Sequence, residues 1–276
     1  MKPLSPRKRW TYLFVLTVLF CVMVPIVLLY ASGYRYKSGY GVVQTGGIFL
    51  SVPYNDAVVS LNGREIGRAG LLNKSFYIDD LAPSAYVVHV AREGSHSWYR
   101  TLIVEPQIVT DGRVVLVPEE IEIVKLTRGG ATASTTRRLS PVEYDRYEAA
   151  FEVAATSTRK SGGDKNSREV ATVEHGNIVV RWLSKEEKPP GNFCGRPSYC
   201  SKEIFIERGK QTAVSVAFFD GGIVYATREG GVFFSEIDVR STPVSVPLYQ
   251  RAHADVRVVD EKLILKDGSI LYEVSL

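Results

Sequence analysis

The sequence predicts a mainly β protein behind one N-terminal transmembrane helix, and three observations support this fold class. A long stretch near the N-terminus, from Trp10 to Tyr34, carries no charged residue. After it, short runs of alternating apolar and polar residues recur, separated by Gly, Asn and Asp turn signals. The 15 Tyr and 11 Phe, together with many Val and Ile, are residue types enriched in strands. We therefore expect β structure to dominate.

The transmembrane helix is predicted over residues 12–32, because its apolar core has about the 20 residues needed to cross roughly 30 Å of hydrocarbon. Basic residues are concentrated before it, and fewer follow it: Lys2, Arg7, Lys8 and Arg9 against Arg35 and Lys37. The positive-inside rule places the tail, residues 1–11, in the cytoplasm and the bulk of the chain outside the plasma membrane. A cleaved signal peptide is the alternative, since Ala31-Ser32-Gly33 offers small residues, but its apolar core would be unusually long.

The charge balance argues against nucleic acid as a partner. The formal net charge is +4, and the four basic residues of the tail account for all of it. The remaining 30 Lys and Arg equal the 30 Asp and Glu, so the body of the protein is neutral. Nucleic-acid binding needs a surplus of basic residues to displace counterions from phosphates.

Two of the three cysteines, Cys194 and Cys200, flank a short loop with the sequence CGRPSYC. Outside the cytoplasm such a pair favours a disulfide. A zinc site would need further Cys or His residues nearby, and the closest histidines in sequence are His175 and His253. We favour the disulfide over a metal site and over two free thiols.

The part beyond the helix divides into three segments. Residues 46–118 contain about six predicted strands, with Asn62-Gly63 placed for a type I′ hairpin turn. Residues 127–169 are rich in Ser, Thr and Gly and read as a linker, which holds a helix over 141–154 because Ser140 and Glu143 form a capping box around Pro141. Residues 170–276 contain about eight predicted strands in an antiparallel meander, either an incomplete propeller-like sheet set or a sandwich.

The first unit resembles a known family. The segments PYNDAVVSLNGREIG and LAPSAYVVHVAREGSHSWYRTLIVE are similar to the PEGA domain, a small β-sandwich-like module of bacterial and archaeal surface proteins. The matching positions are Pro53, Ala57, Asn62, Gly63, Pro83, Tyr86, Gly94 and Trp98. Ser84 and Ser95-His96 depart from the family pattern, as does Asn55-Asp56. The resemblance implies turn and core roles for the matching residues, with no catalytic residue among them. The C-terminal part resembles, more weakly, propeller-like domains that follow such modules in membrane-anchored bacterial proteins.

The sequence offers no motif for catalysis, for a cofactor or for a metal. The four histidines, His89, His96, His175 and His253, are dispersed, and no phosphate-loop, dinucleotide or nucleophile-elbow pattern occurs. Asp79, Asp80 and Asp220 are the carboxylates considered for acid–base catalysis, and each lies at a predicted strand end where turn hydrogen bonds explain it. We expect no catalytic, cofactor-binding or metal-binding residue.

These observations predict a non-catalytic binding or structural module of the cell envelope. The lipid bilayer is the partner of residues 12–32, and an envelope glycan or a surface protein is the expected partner of the remainder. The alternative is an envelope hydrolase or transferase whose acidic residues come together only in three dimensions.

Overall fold

The computed structural model describes residues 6–129, 136–152, 157–160, 168–206, 210–240 and 243–276. It confirms the predicted fold class: the chain is mainly β, with an apolar N-terminal helix, one further short α-helix and several antiparallel sheets. The N-terminal helix α1, Pro6–Ala31, has 26 residues and contains Pro25. Its segment Arg7–Ala31 is long and apolar enough to cross a membrane, and its apolar window is not buried by any other part of the described structure.

A short antiparallel hairpin follows the helix. It consists of β1, Tyr34–Lys37, and β2, Gly41–Gln44, and it forms a sheet of its own.

Seven further strands form two packed sheets. The first sheet has the order β6-β3-β9, with β3 antiparallel to β6 and parallel to β9, and the second has the order β5-β4-β7-β8. Their bounds are β3 Gly46–Ser51, β4 Val58–Leu61, β5 Arg64–Arg68, β6 Ser75–Leu81, β7 Ala85–Ala91, β8 Trp98–Ile103 and β9 Val109–Arg113. We refer to this unit as the N-terminal sandwich.

Alternation of side chains explains the core of the N-terminal sandwich. In β3, Ile48 and Leu50 are fully buried while Phe49 between them is partly exposed, as the two-residue period of a strand requires. Trp98 of β8 joins the same core. Asn62 and Gly63 have φ values of 48° and 79° between β4 and β5, the left-handed pair that a type I′ turn needs.

Beyond the N-terminal sandwich, the described part of the chain contains three sheets of four or five strands. Their orders are β11-β10-β24-β23-β22, β12-β13-β14-β17 and β18-β19-β20-β21. The strands of the first are β10 Glu122–Arg128, β11 Thr136–Leu139, β22 Asp255–Val259, β23 Lys262–Asp267 and β24 Ile270–Ser275. Those of the second are β12 Ser157–Lys160, β13 Arg168–Glu174, β14 Asn177–Trp182 and β17 Glu203–Ile206. Those of the third are β18 Ala213–Phe219, β19 Gly222–Thr227, β20 Gly231–Ser235 and β21 Ser245–Tyr249. We refer to these three sheets as the C-terminal region.

The first and last strands of the C-terminal region pair with each other. β24 pairs with β10, the strand that enters the region, so the last strand of this sequence lies between β10 and β23. The first strand of the third sheet, β18, contacts both β22 and β13, which brings the three sheets together. One apolar core, which includes Val224, Val256 and Leu263, joins the first and third sheets, and a second, which includes Ile178 and Ile223, joins the second and third.

The segment predicted as a linker, 127–169, contains the end of β10, then β11, the helix α2, β12 and the start of β13. The helix α2, Pro141–Ala149, begins with the predicted capping box: the Ser140 hydroxyl accepts from the Glu143 backbone N–H, and the Glu143 carboxylate accepts from the Ser140 N–H. Tyr147 of α2 is buried in a small core on the first sheet. The helix is shorter than the predicted 141–154, because it ends at Ala149 and residues 150–152 form a turn; residue 154 itself lies outside the described residues.

A small two-stranded sheet lies between β14 and β17. A 3₁₀ turn, Gly191–Phe193, leads into β15, Cys194–Arg196, which pairs with β16, Tyr199–Cys200. Cys194 and Cys200 are joined by a disulfide.

Candidate functional site

The N-terminal sandwich and the C-terminal region meet at a buried polar interface. The segment after β20 contributes Glu236, Asp238 and Arg240, all with side chains almost removed from solvent. The sandwich contributes Trp98 and Arg100 from β8, which are 0% and 1% exposed. Charged side chains are seldom fully buried unless they are paired. We therefore expect these charged side chains to be paired with one another across the interface. We refer to the five residues as the buried charge cluster.

Hydrogen bonds hold the segment after β20, where it presents its polar side chains. Glu236, Asp238 and Arg240 alternate with Ile237 and Val239 in sequence, and the Asp238 carboxylate accepts from the Arg240 backbone N–H at 2.8 Å where the chain bends. Asn192 makes two hydrogen bonds to this segment. Its side-chain amide donates to the Ile237 backbone carbonyl at 3.1 Å, and its backbone carbonyl accepts from the Val239 N–H at 2.9 Å.

Arg100 is the centre of the cluster. Its guanidinium forms an ion pair with Glu236, and its Nε lies 3.7 Å from Asp238 Oδ2. The indole N–H of Trp98 donates to Glu236 Oε1 at 3.0 Å. The guanidinium carbon of Arg100 is 5.3 Å from the centre of the Trp98 ring, within the range of a cation–π contact. Trp98 and Arg100, two residues apart on β8, therefore bind the same carboxylate.

Arg240 completes the charge balance. It donates to both oxygens of Asp238, at 2.8 and 2.6 Å, and its Nη1 donates to the Asp111 backbone carbonyl of β9 at 2.8 Å. Two arginines thus face two carboxylates. Removing charges from water is costly, and such pairing offsets that cost only when geometry and hydrogen bonding are good.

The pKa of the Glu236 carboxyl is raised by burial, which penalises the ionised form. The positive charge of Arg100 opposes this effect, and the nearby Asp238 adds to it. Hydrogen bonds from the Trp98 indole and the Val244 backbone N–H favour the ionised form.

An open cleft of about 410 Å³ lies beside the buried charge cluster, between the two β regions. A volume of this size is within the range of small-molecule sites. Its lining includes an aromatic ring, three carboxylates, a guanidinium and an amide: Phe49, Asp111, Arg113, Glu169, Asn192 and Glu236. Asp111 and Arg113 are exposed on β9, whereas Glu169 of β13 is 1% exposed.

A second contact between the two regions involves the disulfide loop. The Glu105 carboxylate accepts from the Ser198 backbone N–H at 3.0 Å and from its hydroxyl at 2.9 Å. Glu105 follows β8 of the sandwich, and Ser198 lies between the two bonded cysteines. The disulfide loop therefore contacts the sandwich.

The residues singled out in the sequence lie mostly away from the cleft. Ala57 and Trp98 are fully buried in the sandwich, Gly94 lies in a turn with φ 69°, and the Tyr86 hydroxyl donates to the Ala82 carbonyl at 3.0 Å. Pro53, Asn62, Gly63 and Pro83 lie in connections between strands. None of these residues lines the cleft, although Trp98 reaches the buried charge cluster through its indole N–H.

The carboxylates considered from the sequence are placed elsewhere. Asp80 contacts Arg35 and Thr45 near the end of α1, and Asp220 lies in the turn between β18 and β19. Glu236, Asp238 and Arg240 were not predicted from the sequence as site residues. Their signal is the run SEIDVR after a buried strand, in which charged residues alternate with apolar ones; WYR at positions 98–100 carries the complementary charge.

No group of three or more His, Cys, Asp or Glu residues in the described part of the chain is arranged to hold a metal ion. The chain matches no protein-family model and no curated protein. The PEGA resemblance of residues 46–118 stays a prediction from the sequence.

Proposed function

We propose that this chain is a single-pass membrane protein with its N-terminus in the cytoplasm and a non-catalytic ectodomain that binds or organises a component of the cell envelope. The observation that carries the proposal is α1, whose apolar window is not buried anywhere in the described structure and whose side-chain contact with the rest of the chain is at its end, where Arg35 lies over Tyr30. Water is an unfavourable environment for such a surface, whereas a bilayer satisfies it. The basic residues before the helix support the orientation.

The coupling of the two β regions supports a structural or binding role for the ectodomain. The buried charge cluster and the contact between Glu105 and Ser198 join the N-terminal sandwich to the C-terminal region at two places. Such contacts favour one continuous body over two modules on a flexible tether. The disulfide between Cys194 and Cys200 fits an oxidising compartment outside the cytoplasm.

The PEGA resemblance suggests the class of partner. Modules of this family occur on bacterial surfaces, so an envelope glycan or a surface protein is the partner that we propose. The exposed side chains of Tyr77 and Tyr99, on β6 and β8, offer aromatic surface of the kind that stacks on sugar rings.

The cleft favours a second candidate function, an envelope hydrolase or transferase. Asp111, Glu169 and Glu236 line one cleft, and acid–base hydrolysis of a glycoside uses two carboxyl groups across such a space. Glu236 belongs to the buried charge cluster, and Asp111 and Glu169 are the two other carboxylates that line the cleft, so they are the acids proposed for this function.

The experiment uses the full chain in native membranes. Membranes isolated from one culture are washed with alkaline carbonate. In a second culture the intact protein is crosslinked in living cells and identified together with its neighbours. We expect the chain to stay in the membrane pellet and to crosslink to an envelope glycan or protein. Release by carbonate would overturn the membrane assignment, and absence of any envelope crosslink would overturn the binding role.

A paired variant distinguishes the two candidate functions. Asp111→Asn combined with Glu169→Gln removes both remaining acids of the cleft while leaving the buried charge cluster intact. The binding role predicts unchanged crosslinking and no hydrolysis of envelope polymer by either protein. Polymer cleavage by the parent protein that is lost in the variant would establish the enzymatic alternative.

A further inference from the structure

The hairpin β1–β2 begins where the apolar helix ends. The Ser32 and Gly33 backbone N–H groups donate to the Leu28 and Tyr30 carbonyls at 2.9 and 3.1 Å, which closes the last turn of α1. Gly33 has a φ of 80°, a left-handed conformation that ends the helix and redirects the chain into β1. Only two residues therefore separate α1 from the hairpin.

Arg35 fixes the hairpin against the end of the helix. Its guanidinium lies over the Tyr30 ring, 3.6 Å from the ring centre, and donates to the Tyr30 carbonyl at 2.6 Å. The same side chain is 3.3 Å from Asp80 of the N-terminal sandwich. Tyr30 marks the end of the apolar segment, so this contact places the start of the hairpin at the level where that segment ends.

The sandwich is attached to the same point. The Thr45 backbone N–H donates to the Gly33 carbonyl at 3.0 Å, and the Gln107 side-chain amide donates to the Ser32 carbonyl at 3.1 Å. Helix, hairpin and sandwich thus share one junction, with defined contacts in place of a free linker.

One face of the hairpin exposes large side chains that the rest of the described structure leaves uncovered. Tyr36 and Val42 are directly opposite each other in the antiparallel pair, so their side chains lie side by side on one face. They are 79% and 65% exposed, and Tyr40 in the turn is 56% exposed. Lys37, the next residue of β1, projects from the opposite face of the hairpin and adds a positive charge at the end of the strand.

We propose that the hairpin β1–β2 is a second membrane contact, which lies in the headgroup layer of the leaflet from which α1 emerges. Tyr36, Tyr40 and Val42 contact lipid, and Lys37 lies among the lipid phosphates. This inference rests on the proposed membrane crossing by α1. Tyrosine is enriched at membrane interfaces because its ring is apolar and its hydroxyl remains hydrated.

The dimensions require the hairpin to run along the membrane surface. A four-residue strand extends about 13 Å, whereas each headgroup layer is only roughly 5 to 8 Å deep. A hairpin that stood along the membrane normal would carry Tyr40 out into water, and one along the surface keeps all three side chains at the interface. A helix and a hairpin that both contact the bilayer restrict the rotation of the ectodomain about the helix axis.

The test measures membrane depth at single cysteines in the full chain. Cys21 is the one free cysteine, because Cys194 and Cys200 are bonded to each other, so Cys21→Ser gives a background without a reactive thiol. Leu19→Cys, Tyr36→Cys, Val42→Cys and Tyr77→Cys are introduced singly, spin-labelled without reductant and reconstituted in vesicles of phosphatidylethanolamine and phosphatidylglycerol. Collision rates with oxygen, which concentrates in the bilayer, and with a neutral nickel chelate, which stays in water, report depth.

We expect the ratio of oxygen to nickel collisions to be highest at position 19 and several-fold lower at 77. Position 77 is the matched control, since Tyr77 is 61% exposed on a strand of the N-terminal sandwich. Positions 36 and 42 should lie between the two. Values at 36 and 42 equal to that at 77, with position 19 still protected from nickel, would overturn this inference alone. Nickel access at position 19 would overturn the membrane crossing itself.

Discussion

Arg100 of the N-terminal sandwich forms an ion pair with Glu236 of the C-terminal region, across 136 residues of sequence. The two side chains are 0% and 3% exposed. Each β region supplies one of the two buried charges of this ion pair. The native state of each region is therefore expected to depend on the presence of the other.

Replacing Glu236 with Ala should destabilise the ectodomain by about 3–5 kcal/mol, because the buried Arg100 would lose its ion pair with Glu236. The Trp98 indole would also lose its acceptor, so urea unfolding followed by tryptophan fluorescence reports the change directly. Asp145→Asn is the matched control: it removes the exposed pair between Arg128 and Asp145, which should cost roughly 0–1 kcal/mol. Equal effects of the two substitutions would contradict the assigned role of the cluster.

The pKa of Glu174 should be about 2 in the folded protein, because Arg181 and Thr172 donate hydrogen bonds to its ionised carboxylate. Since this value lies below the ordinary pKa of 4.5, the interaction stabilises the fold above about pH 4.5 and is lost as the pH falls towards 2. Carboxyl chemical shifts measured against pH check the value.

The substitution Arg181→Met should return the pKa of Glu174 towards its ordinary value. Glu203→Gln, which removes the other acidic partner of Arg181, leaves the contact with Glu174 in place and serves as the control. An ordinary pKa for Glu174 in the parent protein would show that the pair with Arg181 does not form in solution.

Removing the disulfide with Cys194→Ser and Cys200→Ser together should cost about 2 kcal/mol, since a loop this short restricts the unfolded chain only modestly. Cys21→Ser should leave the unfolding of the ectodomain unchanged, because Cys21 lies in α1. Alkylation of the denatured, unreduced protein followed by mass spectrometry should add one label. Three labels on protein isolated without reductant would exclude the bond.

Leu271→Ala should destabilise the C-terminal region by about 2–5 kcal/mol. Leu271 of β24 is 1% exposed and packs with Leu126, Leu139, Tyr147 and Ile264, so the substitution leaves a cavity where the last strand joins β10. Val142→Ala, at an exposed position of α2, should change the stability by less than about 0.5 kcal/mol. Relative to the parent protein, amide hydrogen exchange in the Leu271→Ala variant should become faster in β10 and stay unchanged in β4, which would show that the destabilisation lies in the C-terminal region.

Local pattern accounts for the features that the sequence predicted well. The uncharged run of α1, the alternation of Ile48 and Leu50 around Phe49, and the Asn62-Gly63 turn each depend on neighbours within a few residues. The capping box of Ser140 and Glu143 is equally local. Periodicity reports which side of an element is buried, and for these features that information is sufficient.

Local sequence patterns do not predict which strands or charges pair when they lie far apart in the sequence. The pairing of β10 with β24 places Glu122 opposite Ser275, and the residues of neither strand indicate which strand it pairs with. The linker predicted over 127–169 contains strands of the C-terminal sheets for the same reason: short polar strands such as β11 carry a weak apolar signal. The buried charges of Glu236 and Asp238 resemble surface charges until Arg100 is placed opposite them.

The orientation of the chain in the membrane is tested most directly by labelling cysteines from one side. In the Cys21→Ser background, Leu72→Cys places a thiol on a fully exposed loop of the sandwich, and Ser5→Cys places one in the basic tail. A membrane-impermeant maleimide is added to intact cells with a permeable outer layer, and then to lysed cells. With the N-terminus in the cytoplasm, we expect labelling of Leu72→Cys before lysis and of Ser5→Cys only afterwards. Labelling of Ser5→Cys on intact cells, with Leu72→Cys protected until lysis, would contradict it.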